Sequence, residues 1–128
     1  IQATIVGKQE IDGYAGGFVG LSGDSNYYNC YANVTVEASD SDDNLSVGGF
    51  IGSSYYNDGY LKNVAASATI KVAARTVKVG SLIGNNRDYV HKNTYYDIDK
   101  YATGIGASSN DATTKGVKTT AFTNPSII

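Results

Sequence analysis

The groups in this 128-residue chain able to attack a bond or hold a metal are few: one histidine, one cysteine and two short runs of acids. A zinc hydrolase needs two His one helical turn apart with a Glu between them, and His91 alone cannot supply that set. Serines are numerous, but a single His specifies no Ser-His-Asp relay. His91 stands beside Lys92 in a polar stretch and reads as a solvated loop histidine rather than an acid–base catalyst.

The acidic loop "SDSDDNLS" carries Asp40, Asp42 and Asp43, and "YYDIDKY" carries Asp97 and Asp99. Either run could offer oxygens to Ca²⁺ or a carboxylate pair to a glycosidase. The second departs from an EF-hand loop, with Ala102 where the glycine belongs and no Glu at the twelfth place. Asp40, Asp42 and Asp43 are read as a solvated turn, with a weak cation site as the alternative, and Asp97 and Asp99 as structural groups at a capping turn. No catalytic residue and no cofactor is expected.

Tyrosines are the most suggestive surface feature. The pairs Tyr27-Tyr28, Tyr55-Tyr56 and Tyr95-Tyr96 are flanked by Asn or Asp, and rings beside amides suit sugar stacking or a protein contact. Tyr27, Tyr28, Tyr55, Tyr56 and Tyr89 are the candidate ligand or partner surface. Alternation along a strand lets only one ring of each pair face outward, so scaffold packing is the competing role.

These residues hang on a repeat. "AGGFVG" from Ala15 returns as Val47-Gly48-Gly49-Phe50-Ile51-Gly52 and again as Val79-Gly80-Ser81-Leu82-Ile83-Gly84, with 48 − 16 = 32 and 80 − 48 = 32. Each block is followed by an Asn, at Asn29, Asn63 and Asn93, offset by 34 and then 30. A constant period with loops of varying length is the mark of stacked units that bury their apolar faces against one another. After the Asn, Val34-Thr35-Val36-Glu37 aligns with Ala68-Thr69-Ile70-Lys71, and Ala3-Thr4-Ile5-Val6 matches both. A period of two puts Val34, Val36, Ala68, Ile70, Ala3 and Ile5 on one face and Thr4, Thr35 and Thr69 on the other.

Stacking predicts the files Ile5/Val36/Ile70, Val19/Ile51/Ile83, Phe18/Phe50/Leu82 and Cys30/Val64/Thr94. The last makes Cys30 a small filler rather than a nucleophile. Glu37 and Lys71 should form an exposed pair of little worth. Among the glycines, the last of each block (Gly20, Gly52, Gly84) suits a corner with positive φ, and the first (Gly16, Gly48, Gly80) a place where a side chain would obstruct the next turn. Past Asn93 the pattern decays, so the tail from Thr103, with Phe122, Ile127 and Ile128, is expected to fold over the open end.

Composition agrees. Fifteen Gly, eleven Tyr, one Pro and no Met or Trp favour strands and tight turns. A net charge of −2 leaves no basic footprint for nucleic acid or anionic lipid. No apolar run is long enough to span a membrane, and the chain begins mid-pattern, as an excised segment of a larger protein would. The sequons at Asn33 and Asn44 read as accidental, and the single Thr file, with Glu37 and Lys71 alongside, argues little for ice binding.

The string "GGFVG…NCYANVTV…VGGFIG…KNVAASATI…VGSLIG…KNTYYDID" resembles the GLUG motif, a repeat of bacterial cell-surface proteins that include adhesins and non-catalytic regions of M26-type metallopeptidases that cleave immunoglobulin A1. The resemblance covers roughly residues 13 to 104, and "NTYYDIDKYATGIG" is similar to that family's "CYWDTDTSG" ending, with Tyr96 in place of Trp. It implies a stacked module of a secreted or wall-attached bacterial protein and implies no reaction. The expected fold is all-β: a parallel β-helix or β-solenoid, right-handed, of about three 32-residue coils over 1–106 (units near 13–44, 45–76 and 77–106), with a C-terminal cap or exit segment over 107–128. The expected role is a non-catalytic spacer or recognition module, its partners being neighbouring domains and a host protein or glycan. A three-fold lectin-like domain is the rival, and a pectate-lyase-type enzyme a more distant one.

Overall fold

The computed structural model describes residues 4–5, 13–39, 45–54, 59–73, 77–108 and 114–123. Within them the chain is all-β, apart from one 3₁₀ turn at Thr119–Thr123. The strands are β1 (Thr4–Ile5), β2 (Gly13–Gly16), β3 (Val19–Ser22), β4 (Asn26–Ser39), β5 (Leu45–Gly48), β6 (Ile51–Ser54), β7 (Tyr60–Ala73), β8 (Val77–Gly80), β9 (Ile83–Asn86), β10 (Val90–Asp97), β11 (Ile105–Ser108) and β12 (Lys115–Val117).

They form three sheets, ordered β1-β4-β7-β10-β12, β11-β9-β6-β3 and β2-β5-β8, and the strand pairings are parallel. Parallel neighbours need a crossover, and here each crossover is the rest of one repeat. The register is the one the period dictates: Val19 pairs with Ile51 and Ile51 with Ile83, while Cys30 pairs with Val64 and Val64 with Thr94. Thr4 and Ile5 lie beside Thr35 and Val36, which in turn lie beside Thr69 and Ile70.

The core is built from these files. Val34, Val36, Val64, Ala68, Ile51 and Ile83 are buried, with Phe50 and Leu82 beneath Phe18. Phe18 and Phe50 stack with ring centroids 5.0 Å apart and planes inclined by 2°. Thr35 and Thr69, on the opposite face, are half-buried. The Glu37–Lys71 pair forms at 3.9 Å between exposed side chains, where solvent screens it.

The glycines are explained by close approach. No described glycine has positive φ, which corrects the corner expected at Gly20, Gly52 and Gly84. A Cβ on Gly52 would lie 2.8 Å from the carbonyl oxygen of Ala15 and 2.9 Å from its nitrogen, and one on Gly84 2.6 Å from the same atoms of Val47. The two short sheets therefore meet backbone to backbone, and any side chain would wedge them apart. The first glycines fit their expectation: a Cβ on Gly48 would strike Ile51 and Gly84.

The tail meets its expectation in part. Ile105–Ser108 pairs with β9, so the boundary at 106 falls inside a strand, and Lys115–Val117 pairs with β10. The step from Ile83 to Ile105 is 105 − 83 = 22 residues: among the described residues the third sheet has no strand beyond β8, and β10 is 8 residues long where β7 is 14. β11 and β12 thus add to the open edges of β9 and β10, as expected of a cap, whereas Phe122 lies against Tyr31 of β4, centroids 5.7 Å apart, on the outer face of the long sheet. Ile127 and Ile128 are outside the described residues.

Candidate functional site

The long sheet bends at its asparagines. Asn29, Asn63 and Asn93 have φ of 56°, 57° and 54°, the left-handed region that Asn tolerates better than other residues carrying a side chain. One such residue resets the alternation. Tyr27 faces inward, Tyr28 and Asn29 both face outward, and Cys30, Ala32 and Val34 then take the inward places. The outward amides join into a ladder: Asn63 Nδ2 donates to Asn29 Oδ1 at 2.9 Å, and Asn93 Nδ2 donates to Asn63 Oδ1 at 3.1 Å. A periodic Asn just before a change of inward parity was the available signal, and sequence reasoning used it only as a spacing marker.

The candidate tyrosines divide. Tyr28 is 54% exposed and tilts over Tyr60 at 5.9 Å. Its strand neighbours at the same position are Lys62 and Lys92. Tyr27 is half-buried, edge-on to Phe18 and Phe50, with its hydroxyl 2.8 Å from Ser22 Oγ. Tyr89 is not a surface residue: it is fully buried, shares the same Ser22 hydroxyl at 2.8 Å, and burial raises its pKa above the usual phenol value. Ordinary alternation ahead of Asn29 explains the contrast between Tyr27 and Tyr28, turning the first ring inward and the second outward. Tyr55 and Tyr56 lie outside the described residues.

His91 also departs from expectation. It lies in β10, not in a solvated loop, and is only 9% exposed. Asn86 Nδ2 donates to the Tyr89 carbonyl at 3.5 Å, which assigns its Oδ1 as the acceptor for His91 Nε2 at 3.1 Å. His91 Nδ1 is then a lone-pair acceptor, and among the described residues it has no partner. Burial pushes the imidazole pKa down to about 4. Cys30 is a half-buried thiol against the core, its Sγ 3.3 Å from the Tyr28 carbonyl.

The acids at 97 and 99 hold the tail. Asp97 is fully buried and accepts hydrogen bonds from Ser67 Oγ at 2.8 Å and Thr119 Oγ1 at 2.7 Å. Asp99 accepts from the Thr119 nitrogen at 2.9 Å. With Phe122 seated on Tyr31, these contacts tie the tail across the sheet, and burial raises the Tyr31 pKa. Asp40, Asp42 and Asp43 lie outside the described residues, as does Asn44. Among the described residues no three His, Cys, Asp or Glu side chains gather as a metal set would require.

β12 pairs with Tyr95–Asp97, so among the described residues β10 has a neighbouring strand on one side alone, β7, from Val90 to Thr94. At that step is a notch of about 250 Å³ lined by His91, Lys92, Asn93, Thr94, Tyr95 and Lys115. What the outer face offers is therefore binding chemistry: an exposed ring, amides in a row and, among the described residues, ammonium groups with no ion-pair partner. No family model, curated protein or solved structure matches the chain.

Proposed function

We propose that this chain is a GLUG-type β-solenoid of about three coils, a non-catalytic spacer and recognition module of a bacterial cell-surface or secreted protein. The observation that carries this reading is the in-register parallel stacking of Val19, Ile51 and Ile83, with Phe18 over Phe50. Three units arranged around an axis would not share one sheet edge to edge, whereas β4, β7 and β10 do. Stacking of this kind makes a stiff rod in which each rung adds about 4.8 Å, so its mechanical task is to hold a neighbouring domain or ligand at a set distance.

Recognition belongs to the outer face of the long sheet, where Tyr28 and the Asn ladder are exposed. The partner is a host protein or glycan, met outside the cell. The repeat itself performs no reaction; the parent protein could be a zinc peptidase whose ligands lie elsewhere.

Duplicating residues 45–76 in tandem tests the rod. The longer chain should fold, with small-angle scattering showing its long axis extended by about one rung and its cross-section unchanged. A chain that unfolds, or widens without lengthening, would sink the reading.

A further inference from the structure

The Asn ladder has a direction, since each amide donates toward the preceding rung. Its far end is Asn93, whose Oδ1 receives no hydrogen bond among the described residues, and Asn93 lines the notch beside β10. Lys92 and Lys115 line the same notch, and among the described residues neither ammonium meets a carboxylate within ion-pair distance. His91, nine-tenths buried, contributes to the wall. Tyr95 supplies a half-buried ring.

The demands of these groups are specific. Two cations call for an anion, while the Asn93 carbonyl oxygen calls for a hydroxyl or N–H donor and repels a bare anion. The ring offers an apolar face of the kind on which sugar C–H groups stack. A volume of about 250 Å³ is small for a ligand site and suits one ring.

We propose that the notch binds a single hexuronate residue of an acidic polysaccharide, its carboxylate toward Lys92 and Lys115, a hydroxyl donating to Asn93 Oδ1, and its ring against Tyr95. The inference rests on the recognition half of the proposed function and adds the ligand class and the place. It moves the contact from Tyr27 and Tyr28 to Tyr95, at the step where β12 begins.

The test is a titration of the full ¹⁵N-labelled chain with sodium D-glucuronate, D-glucose and sodium sulfate. Glucuronate should shift the amide signals of Lys92, Asn93, Tyr95 and Lys115 saturably, with Kd on the order of a millimolar. Glucose and sulfate should each bind at least ten-fold more weakly. Lys92→Gln with Lys115→Gln should weaken glucuronate at least ten-fold, and Lys71→Gln, remote from the notch, should leave it unchanged. An equal response to sulfate reduces the site to a general anion patch and overturns the proposal, as does an equal response to glucose or no saturable shift. Any of these failures leaves the elongation test of the rod untouched, so the two readings fall separately.

Discussion

Asn63 donates its side-chain amide to Asn29 at 2.9 Å while both residues hold left-handed backbone. One residue type thus meets two demands at each bend: tolerance of positive φ, and a side chain that can both give and accept a hydrogen bond along the stack. Glycine meets only the first demand, and threonine or serine meets the second poorly at this φ.

Separating those two demands is straightforward. Asn63→Gly should keep the bend and lose the ladder, at about 1 kcal/mol. Asn63→Ala should lose both, costing roughly 1–2 kcal/mol more. Urea denaturation of the two variants measures the difference, and equal losses would show that the backbone conformation is not what Asn63 serves.

Ile51 lies fully buried in the middle of its file, between Val19 and Ile83. Ile51→Ala should cost about 2–5 kcal/mol. Phe18→Ala, at the end of its own file and half-exposed, should cost clearly less. A chain in which Phe18→Ala is the more damaging change would contradict core packing along the files.

Gly52→Ala places a methyl against the Ala15 backbone, which cannot move aside as a flexible side chain would. Loss of about 1–3 kcal/mol is expected, the usual range for overpacking. Gly20→Ala, whose nearest neighbour would be 3.3 Å away, should be milder. Thermal unfolding of the pair checks the ranking.

His91 makes stability depend on pH. Its folded pKa of about 4 is below the unfolded value of 6.5, so the unfolded chain takes up the proton first as the pH falls. The contribution is complete above pH 6.5 and is lost progressively down to about pH 4, by roughly 3 kcal/mol. Urea midpoints recorded from pH 7.5 to 4 should show this decline, and His91→Gln should flatten it.

Asp97 is the anchor of the tail, so Asp97→Asn should weaken its bonds to Ser67 and Thr119 and loosen the segment past Val117. Hydrogen exchange should quicken at Thr119–Thr123 before it changes in β4 or β7. Uniform quickening through the long sheet would mean that Asp97 supports the whole stack and not the tail alone.

The files were legible in the chain because a 32-residue period with alternation leaves one way to bury Val19, Ile51 and Ile83 together. The same logic reached Cys30, whose partners Val64 and Thr94 fix its size, and the Glu37–Lys71 pair. It failed at Tyr89 and His91, because a polar stretch beside Lys92 reads as loop, whereas β10 starts at Val90 and the stack covers both side chains.

Spacing and residue type by themselves determined the stacked, parallel, all-β class and which apolar residues share a file, since both depend only on distance along the chain. Three features were decided in three dimensions: the Asn ladder, the burial of His91, and the notch where β12 begins only at Tyr95. Each depends on what the adjoining rung provides, a hydrogen-bond partner, a cover or a gap, and no local pattern encodes a neighbour that lies some thirty residues away in the chain.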